Sequence, residues 1–390
     1  MSDPIVIVGA GLAGYNLARE FRKLDAETPL VVVSRDGAGF YSKPMLSNAL
    51  AGKKTAASLV MKPAEKMADE LKAQVLPRVT VQAVDAAART VTLSSGDTLR
   101  YRDLVLALGA DQLRLPLQGD AADTVVSVND LDDFAAFADA LDKGPMGEPV
   151  QRVAILGGGL IGCEFANDLL HREIKATVID IAERALPRLL PPAASARLQK
   201  ALEAGGAAFR FGTSVTNIAR GDGALRLTLS DGSTLDADLV VSAIGLKPRT
   251  ELAAQAGAEL ARGVKVNREL ATSVPHVHAL GDCAEVEGLL LPYVMPLMQQ
   301  ARALAATLAG KPTPVSYPAM PVVVKTPACP TVVCPPAMGA EGEWQVTETD
   351  EALEARFVSA SQPEQMLGFV LQGKATAQRQ AWAAQTPAVL

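Results

Sequence analysis

The sequence predicts an α/β chain of two Rossmann-like three-layer domains, each on a parallel sheet, followed by a small α+β C-terminal domain. Three observations carry this. A short apolar strand runs straight into Gly9-Ala-Gly11-Leu-Ala-Gly14 and a helix-like stretch. The same order returns at Gly157-Gly-Gly159-Leu-Ile-Gly162. After Pro312 the composition shifts to short strands flanked by proline. Strands alternating with helices indicate parallel sheets covered by helices. A chain of 390 residues also exceeds one ordinary core.

Taken in order, Ile5–Val8 is the first strand, Tyr15–Leu24 the helix behind the glycines, and Leu30–Val33 the next strand. In the second unit, strands Val153–Leu156 and Ala176–Ile179 flank a helix ending near Leu170. Between the units, Val79–Ala83 and Thr90–Leu93 alternate, and the turn 94–97 joins the latter to Thr98–Tyr101. A matching hairpin follows later, Leu225–Leu229 and Thr234–Ala237 around the turn 230–233. Each hairpin leads into an apolar strand ending in glycine, Leu104–Gly109 and Leu239–Gly245, so the duplication extends past the glycine loops. The C-terminal part reads as strands Pro321–Lys325, Thr331–Val333, Trp344–Val346 and Ala355–Val358, closed by a helical tail. The expected organisation is a discontinuous first domain (1–112 and 242–318), an inserted second domain (113–241) and a third (319–390).

The G-x-G-x-x-G spacing has a physical reason. The first glycine makes the tight turn, the second admits a pyrophosphate to the backbone, and the third packs helix on strand, while the helix N-terminus stabilises the phosphate charge. Gly9, Ala10, Gly11, Leu12, Ala13 and Gly14, and then Gly157, Gly159 and Gly162, are therefore candidate nucleotide-binding residues. In the second unit the strand ends at Asp180, where a carboxylate can bind both ribose hydroxyls and repel a 2′-phosphate, favouring NADH over NADPH. Arg184 nearby acts slightly against that preference. In the first unit Ser34 and Arg35 stand where the acid is usual. Either Ser34 bonds the ribose with Arg35 over the adenine, or Asp36 substitutes at a shifted position, or Arg35 is a solvated strand-end charge.

The bulk composition narrows the partners. Lys and Arg total 37 against 43 acidic residues, a formal charge of −6, which argues against nucleic acid or an anionic membrane as the main partner. Apolar runs break before the ~18 residues of a membrane span. The N-terminus enters its first strand with no basic region ahead, so no signal peptide is expected. Four cysteines without a dense framework fit a reducing compartment, and a cytoplasmic location is expected.

Both glycine loops, together with Tyr41-Ser-Lys-Pro-Met-Leu46, Gly157–Ala166 and Leu280-Gly-Asp-Cys-Ala284, resemble the two-dinucleotide flavoprotein reductases over residues 1–310. Within them, Tyr41–Ser47, Val294–Met298 and Val324–Pro330 look like the rubredoxin reductases. The resemblance implies FAD in the first unit and NADH in the second. It sets Ala10–Ala13 at the FAD pyrophosphate, Ser34 and Arg35 at the adenosine half, Val81 at the adenine through its backbone, and Asp282 at the ribityl and phosphate region. The plain alternative for Asp282 is N-capping of the segment Ala284-Glu285. Lys43 and Glu164 are implied as a catalytic pair meeting beside flavin N5, the lysine tuning the flavin and the glutamate placing the nicotinamide. Bare spacing shows only a loop charge and a first-turn helix acid. Val294 leads the helical run Leu297–Leu308, with Pro296 in its first turn. The resemblance puts that end at the flavin pyrimidine, where the dipole favours reduced flavin. Lys325 is a further implied flavin contact, or else a solvated strand-end charge.

The disulfide reductases of this superfamily carry a cysteine pair after the first unit; Tyr41–Leu46 has none. Cys329 and Cys334 flank a strand too long for easy closure, and Cys163 and Cys283 are isolated, so packing roles are expected. His276 and His278 share a strand face without a third ligand, and no metal is expected. The implied reaction is hydride transfer from NADH to FAD, then single-electron steps to rubredoxin in support of bacterial alkane hydroxylation. The alternatives are a reductase for a putidaredoxin- or ferredoxin-type carrier, and a pyridine-nucleotide-binding redox sensor. A local basic patch facing an acidic rubredoxin, and a monomer, are also expected.

Overall fold

The computed structural model describes residues 3–144 and 147–390. The first parallel sheet has the order Val277–Ala279, Asp103–Leu106, Ile5–Val8, Leu30–Val33, Gln74–Leu76. The second has the order Ala208–Phe211, Lys175–Asp180, Arg152–Leu156, Leu239–Ser242, Val126–Ser127, also parallel. Ile5–Val8 and Leu30–Val33 are buried along their whole length, which is why they read as unbroken apolar runs. In both sheets the strand feeding the glycine loop is the central one, so each loop opens at the carboxyl edge where open α/β sheets bind ligands.

The two hairpins are three-stranded antiparallel sheets, Val81–Asp85 with Thr90–Leu93 and Thr98–Arg100, and Val215–Arg220 with Leu225–Leu229 and Thr234–Ala237. The first begins at Val81 rather than Val79, because the Val79 N–H is taken by Ser34 O at 2.9 Å. The strands expected to run to Gly109 and Gly245 stop at Leu106 and Ser242. There the chain turns to cross between the domains, and the crossings pair with each other as Ala110–Gln112 and Leu246–Pro248.

The C-terminal domain is a five-stranded antiparallel sheet in the order Val322–Val324, Thr331–Cys334, Met366–Gly373, Ala352–Ser359, Gly342–Glu348. Its central strand, Met366–Gly373, lies where the sequence predicts part of the helical tail, which is only Arg379–Gln385. That strand is covered on both faces, so its side chains show no polar alternation. Gly368 further disguises it; a Cβ there would stand 2.7 Å from Cys334 O, so the glycine marks close backbone packing. The sheet seats on the second domain, where Leu198 and Leu202 of the helix Pro192–Ala204 join Val324, Val333 and Val370 in one buried cluster. Arg197 fastens the edge, donating to Thr349 O and Asp350 O at 2.7 Å each. Among the described residues no helix is long and apolar enough to cross a membrane.

Candidate functional site

The two glycine loops have the same construction. Gly9 and Gly157 turn at φ +118° and +108°, with the carbonyls of Ala107 and Ala243 where side chains would be. Gly14 and Gly162 press their helices onto the carbonyls of Gly9 and Gly157, leaving no room for a Cβ. Gly11 and Gly159 are the opposite case: among the described residues, a Cβ there would meet nothing within 4 Å. Both are extended N-caps, of helices Leu12–Arg22 and Leu160–Leu170, with no side-chain cap among the described residues. Their first-turn N–H groups, including those of Leu12 and Ala13, therefore face open room, which fits a pyrophosphate. Ala10 is buried in the loop between.

At the tip of the first sheet Ser34 is buried and its hydroxyl donates to Asp36 Oδ1 at 2.7 Å, which also accepts from Ala38 N at 2.8 Å. Ser34 and Asp36, posed as alternatives from sequence, thus form one unit. Arg35 is half exposed beside it, its Nη2 3.9 Å from Asp130 and 4.0 Å from Asp111. Val81 is buried on the adjacent hairpin strand. In the second unit Asp180 folds back onto the glycine loop, accepting from Gly158 N at 2.5 Å and Ala182 N at 2.8 Å.

One expected contact is replaced by another. Glu164, fully buried in the first turn of helix Leu160–Leu170, does not pair with Lys43. Its cation is Lys325, whose ammonium bonds Oε2 and whose backbone N–H donates to Oε1 at 2.9 Å. Ser47 Oγ donates to Oε2 at 2.6 Å as well. The physical reason is that docking of the C-terminal sheet brings the end of strand Val322–Val324 over that helix turn, so backbone and side chain of Lys325 reach the carboxylate together. Nor is Lys325 the solvated strand-end charge of the competing reading. Lys43 instead donates to Asn129 Oδ1 at 2.5 Å. Burial pushes the Lys43 ammonium down, and Asp282 pulls it back up.

Asp282 lies in the short turn Gly281–Cys283, and the chain after it is the strand Ala284–Val286, so it caps no helix. Burial raises its carboxyl, while Lys43 and Arg249 act to lower it. The turn is pinned through Gly281 N to Gln300 Oε1 at 2.6 Å, with Gln300 Nε2 donating to Tyr317 OH at 2.8 Å. The helix Val294–Leu308 begins with Val294 and Met295, 41% and 42% exposed, and has Pro296 buried in its first turn. Its open apolar end suits a flat aromatic ring.

Residues 3–306 match the family model described as pyridine nucleotide-disulphide oxidoreductase. The chain belongs to the pyridine nucleotide-disulphide oxidoreductases. Residues 314–386 match the model described as rubredoxin binding C-terminal domain. A rubredoxin-NAD(+) reductase of Alcanivorax borkumensis is 48% identical over 388 residues, 99% of either chain. One of Acinetobacter baylyi is 47% identical, covering 97% of this chain and 95% of its own. Among solved structures, the ferredoxin reductase for the CYP199A2 system from Rhodopseudomonas palustris superposes with a TM-score of 0.88 at 26% identity, over 99% of this chain and 96% of that one.

None of the four cysteines forms the disulphide for which the family is described. Cys163, Cys283, Cys329 and Cys334 are all free and buried, and burial pushes the first two up to about 12 and about 11. The histidines engage a carboxylate: His276 Nδ1 lies 3.1 Å from Asp103 Oδ1 and His278 Nε2 lies 3.9 Å from it. Sequence reasoning missed Ser47, Asn129, Asn167 and Asp168. Asn167 accepts from Ala328 N at 3.1 Å, and Asp168 accepts from Leu50 N at 2.9 Å and Ala51 N at 2.8 Å. A signal existed for the last two. Glu164, Asn167 and Asp168 fall at i, i+3 and i+4, one buried polar face on an otherwise apolar helix of this oxidoreductase.

Proposed function

We propose that the chain is an NADH-dependent flavoprotein reductase passing electrons from NADH through FAD to rubredoxin. The observation carrying this reading is the Glu164–Lys325 contact. It joins the first turn of the second glycine-loop helix to the domain that matches the rubredoxin-binding model. A domain that engages an electron carrier is thereby tied to the residues that would hold the nicotinamide. The 48% identity to a rubredoxin-NAD(+) reductase along the whole chain supports the same reading.

In this reading residues 1–112 and 242–318 hold FAD, 113–241 hold NADH, and 319–390 meet the acceptor. Gly9–Gly14 take the FAD pyrophosphate and Ser34, Arg35 and Val81 its adenosine half, with Asp282 at the ribityl chain and Val294 at the ring. Gly157, Gly159, Gly162 and Asp180 take NADH. Bound FAD supplies the chemistry a side chain cannot, accepting two electrons together and releasing them singly. The helix N-termini stabilise both pyrophosphates. Lys43 sets a buried positive charge where negative charge grows on reduction. Glu164, held by Ser47 and Lys325, orients the nicotinamide as a positioning carboxylate. A cytoplasmic monomer belongs to the same reading, and alkane hydroxylation as consumer of the electrons rests on the family resemblance.

Anaerobic stopped-flow mixing with NADH and then oxidised rubredoxin tests it. Fast flavin bleaching followed by fast rubredoxin reduction is the expected result. Fast bleaching with a sluggish second step would reject rubredoxin. The likeness to a ferredoxin reductase makes a ferredoxin the comparison acceptor. A protein without flavin would overturn the proposal entirely.

A further inference from the structure

We propose that Asn129 is a positioning residue for Lys43, holding its ammonium at the flavin without cancelling its charge. This rests on the reading of the first glycine loop as an FAD site and deepens it. Lys43 opens the 3-10 helix Lys43–Asn48, and its Nζ donates to Asn129 Oδ1 at 2.5 Å. Asn129 comes from the other nucleotide domain, two residues past the strand Val126–Ser127, and is 6% exposed.

The amide is set in one orientation. Its Nδ2 donates to Ala110 O at 3.0 Å, on the first inter-domain crossing, which turns the oxygen toward Lys43. The Asn129 backbone is fixed too, its N–H donating to Asp133 Oδ2 at 2.8 Å. Asp130 caps the helix Leu131–Lys143 by accepting from Asp133 N at 2.9 Å. Asp133 and Asp130 are thus engaged with backbone, and the group bonded to the ammonium is neutral.

Charged groups of both signs act on Lys43, three acids and two arginines. Asp282, Asp130 and Asp111 favour its charge and Arg249 and Arg35 oppose it, while Arg249 itself bonds Asp111 and Arg35 Nη2 lies 3.9 Å from Asp130 and 4.0 Å from Asp111. The Asn129 amide, bonded directly to the ammonium, adds no negative charge of its own to this balance. A carboxylate at 129 would neutralise the ammonium. An apolar residue would leave a buried ammonium short of an acceptor, favouring loss of its proton or a swing away. An amide oxygen satisfies one ammonium donor and leaves the charge in place. A positive charge fixed in a buried site stabilises negative charge developing on a reduced ring, so Asn129 helps to set how easily the flavin is reduced.

The test is the flavin midpoint potential, measured by anaerobic spectroelectrochemical titration of the holoprotein. The proteins are wild type, Asn129→Leu, Lys43→Met and the double variant, with Asn129→Asp as a same-shape change should the leucine prevent folding. Asn129→Leu is expected to weaken flavin reduction about tenfold in equilibrium constant, about 30 mV more negative for a two-electron couple. Asn129→Asp should shift it in the same direction. In the Lys43→Met background Asn129→Leu should add nothing and Asn129→Asp should have a smaller effect. A purely structural role for Asn129 would produce the same shift with and without Lys43, and that result overturns the inference. So do unshifted potentials in both single variants while wild type binds flavin and is reduced by NADH. A wild-type protein without flavin overturns the FAD reading itself, and the inference with it.

Discussion

Replacing Lys325 by methionine removes the only cation bonded to Glu164 among the described residues and leaves a fully buried carboxylate without its charge partner. Breaking a buried pair by deleting one member costs about 3–5 kcal/mol. Two features reduce that here. Lys325 is 22% exposed, so solvent already screens part of the attraction. Glu164 also keeps the Ser47 hydroxyl and the backbone N–H of residue 325, neither of which depends on the lysine side chain. The expected cost is about 2 kcal/mol, and it falls on the docking of the C-terminal sheet rather than on the whole chain. Both tryptophans, Trp344 and Trp382, lie in that sheet and the tail helix packed on it, so tryptophan fluorescence during urea unfolding reports on this region alone. Glu164→Gln should cost about 1 kcal/mol, since the amide oxygen can still accept from the backbone N–H of residue 325 while its Nε2 donates to the Ser47 hydroxyl. The double variant should be no less stable than Lys325→Met by itself, because the methionine then faces no buried charge. Costs that simply add in the double variant, or a Lys325→Met shift under about 0.5 kcal/mol, would refute the reasoning.

Further outcomes follow from the loops and the histidine-bound acid. Gly159→Ala should unfold like wild type yet raise the KM for NADH about tenfold, because its methyl group enters the open room that the proposed function gives to phosphate; Gly162→Ala should fail to accumulate as folded protein, since its methyl collides with Gly157 O. Thermal melts and steady-state kinetics check both. Burial alone would raise the Asp103 carboxyl, but nearby His278 and bonds with Arg102 and His276 hold it well below the usual range. A depressed folded-state value means that Asp103 contributes stability above the unfolded carboxyl value of about 4 and loses it as pH falls below that. Asp103→Asn should therefore lower the melting temperature at neutral pH and narrow its gap to wild type on acidification; an equal gap at pH 7 and pH 3 would refute the assignment.

Much of the architecture was legible because it is local. A glycine required by a tight turn, an apolar run and a helix behind it are neighbours along the chain, so both nucleotide folds could be read from Ile5–Val8 and Arg152–Leu156 onward. Met366–Gly373 was not legible, because a strand covered on both faces has no alternation and Gly368 serves a neighbour rather than its own strand. The candidate site divides the same way. The open glycines Gly11 and Gly159 and the strand-end Asp180 follow from spacing along one strand–loop–helix unit. The partners of buried charges do not. Glu164 meets Lys325 from 161 residues away and Lys43 meets Asn129 from 86 away, and nothing local favours those partners over others. Local sequence sets which residues can turn, cap and carry charge. Tertiary packing decided which charges meet, because a buried charge takes whatever partner the docking of whole domains brings within bonding distance.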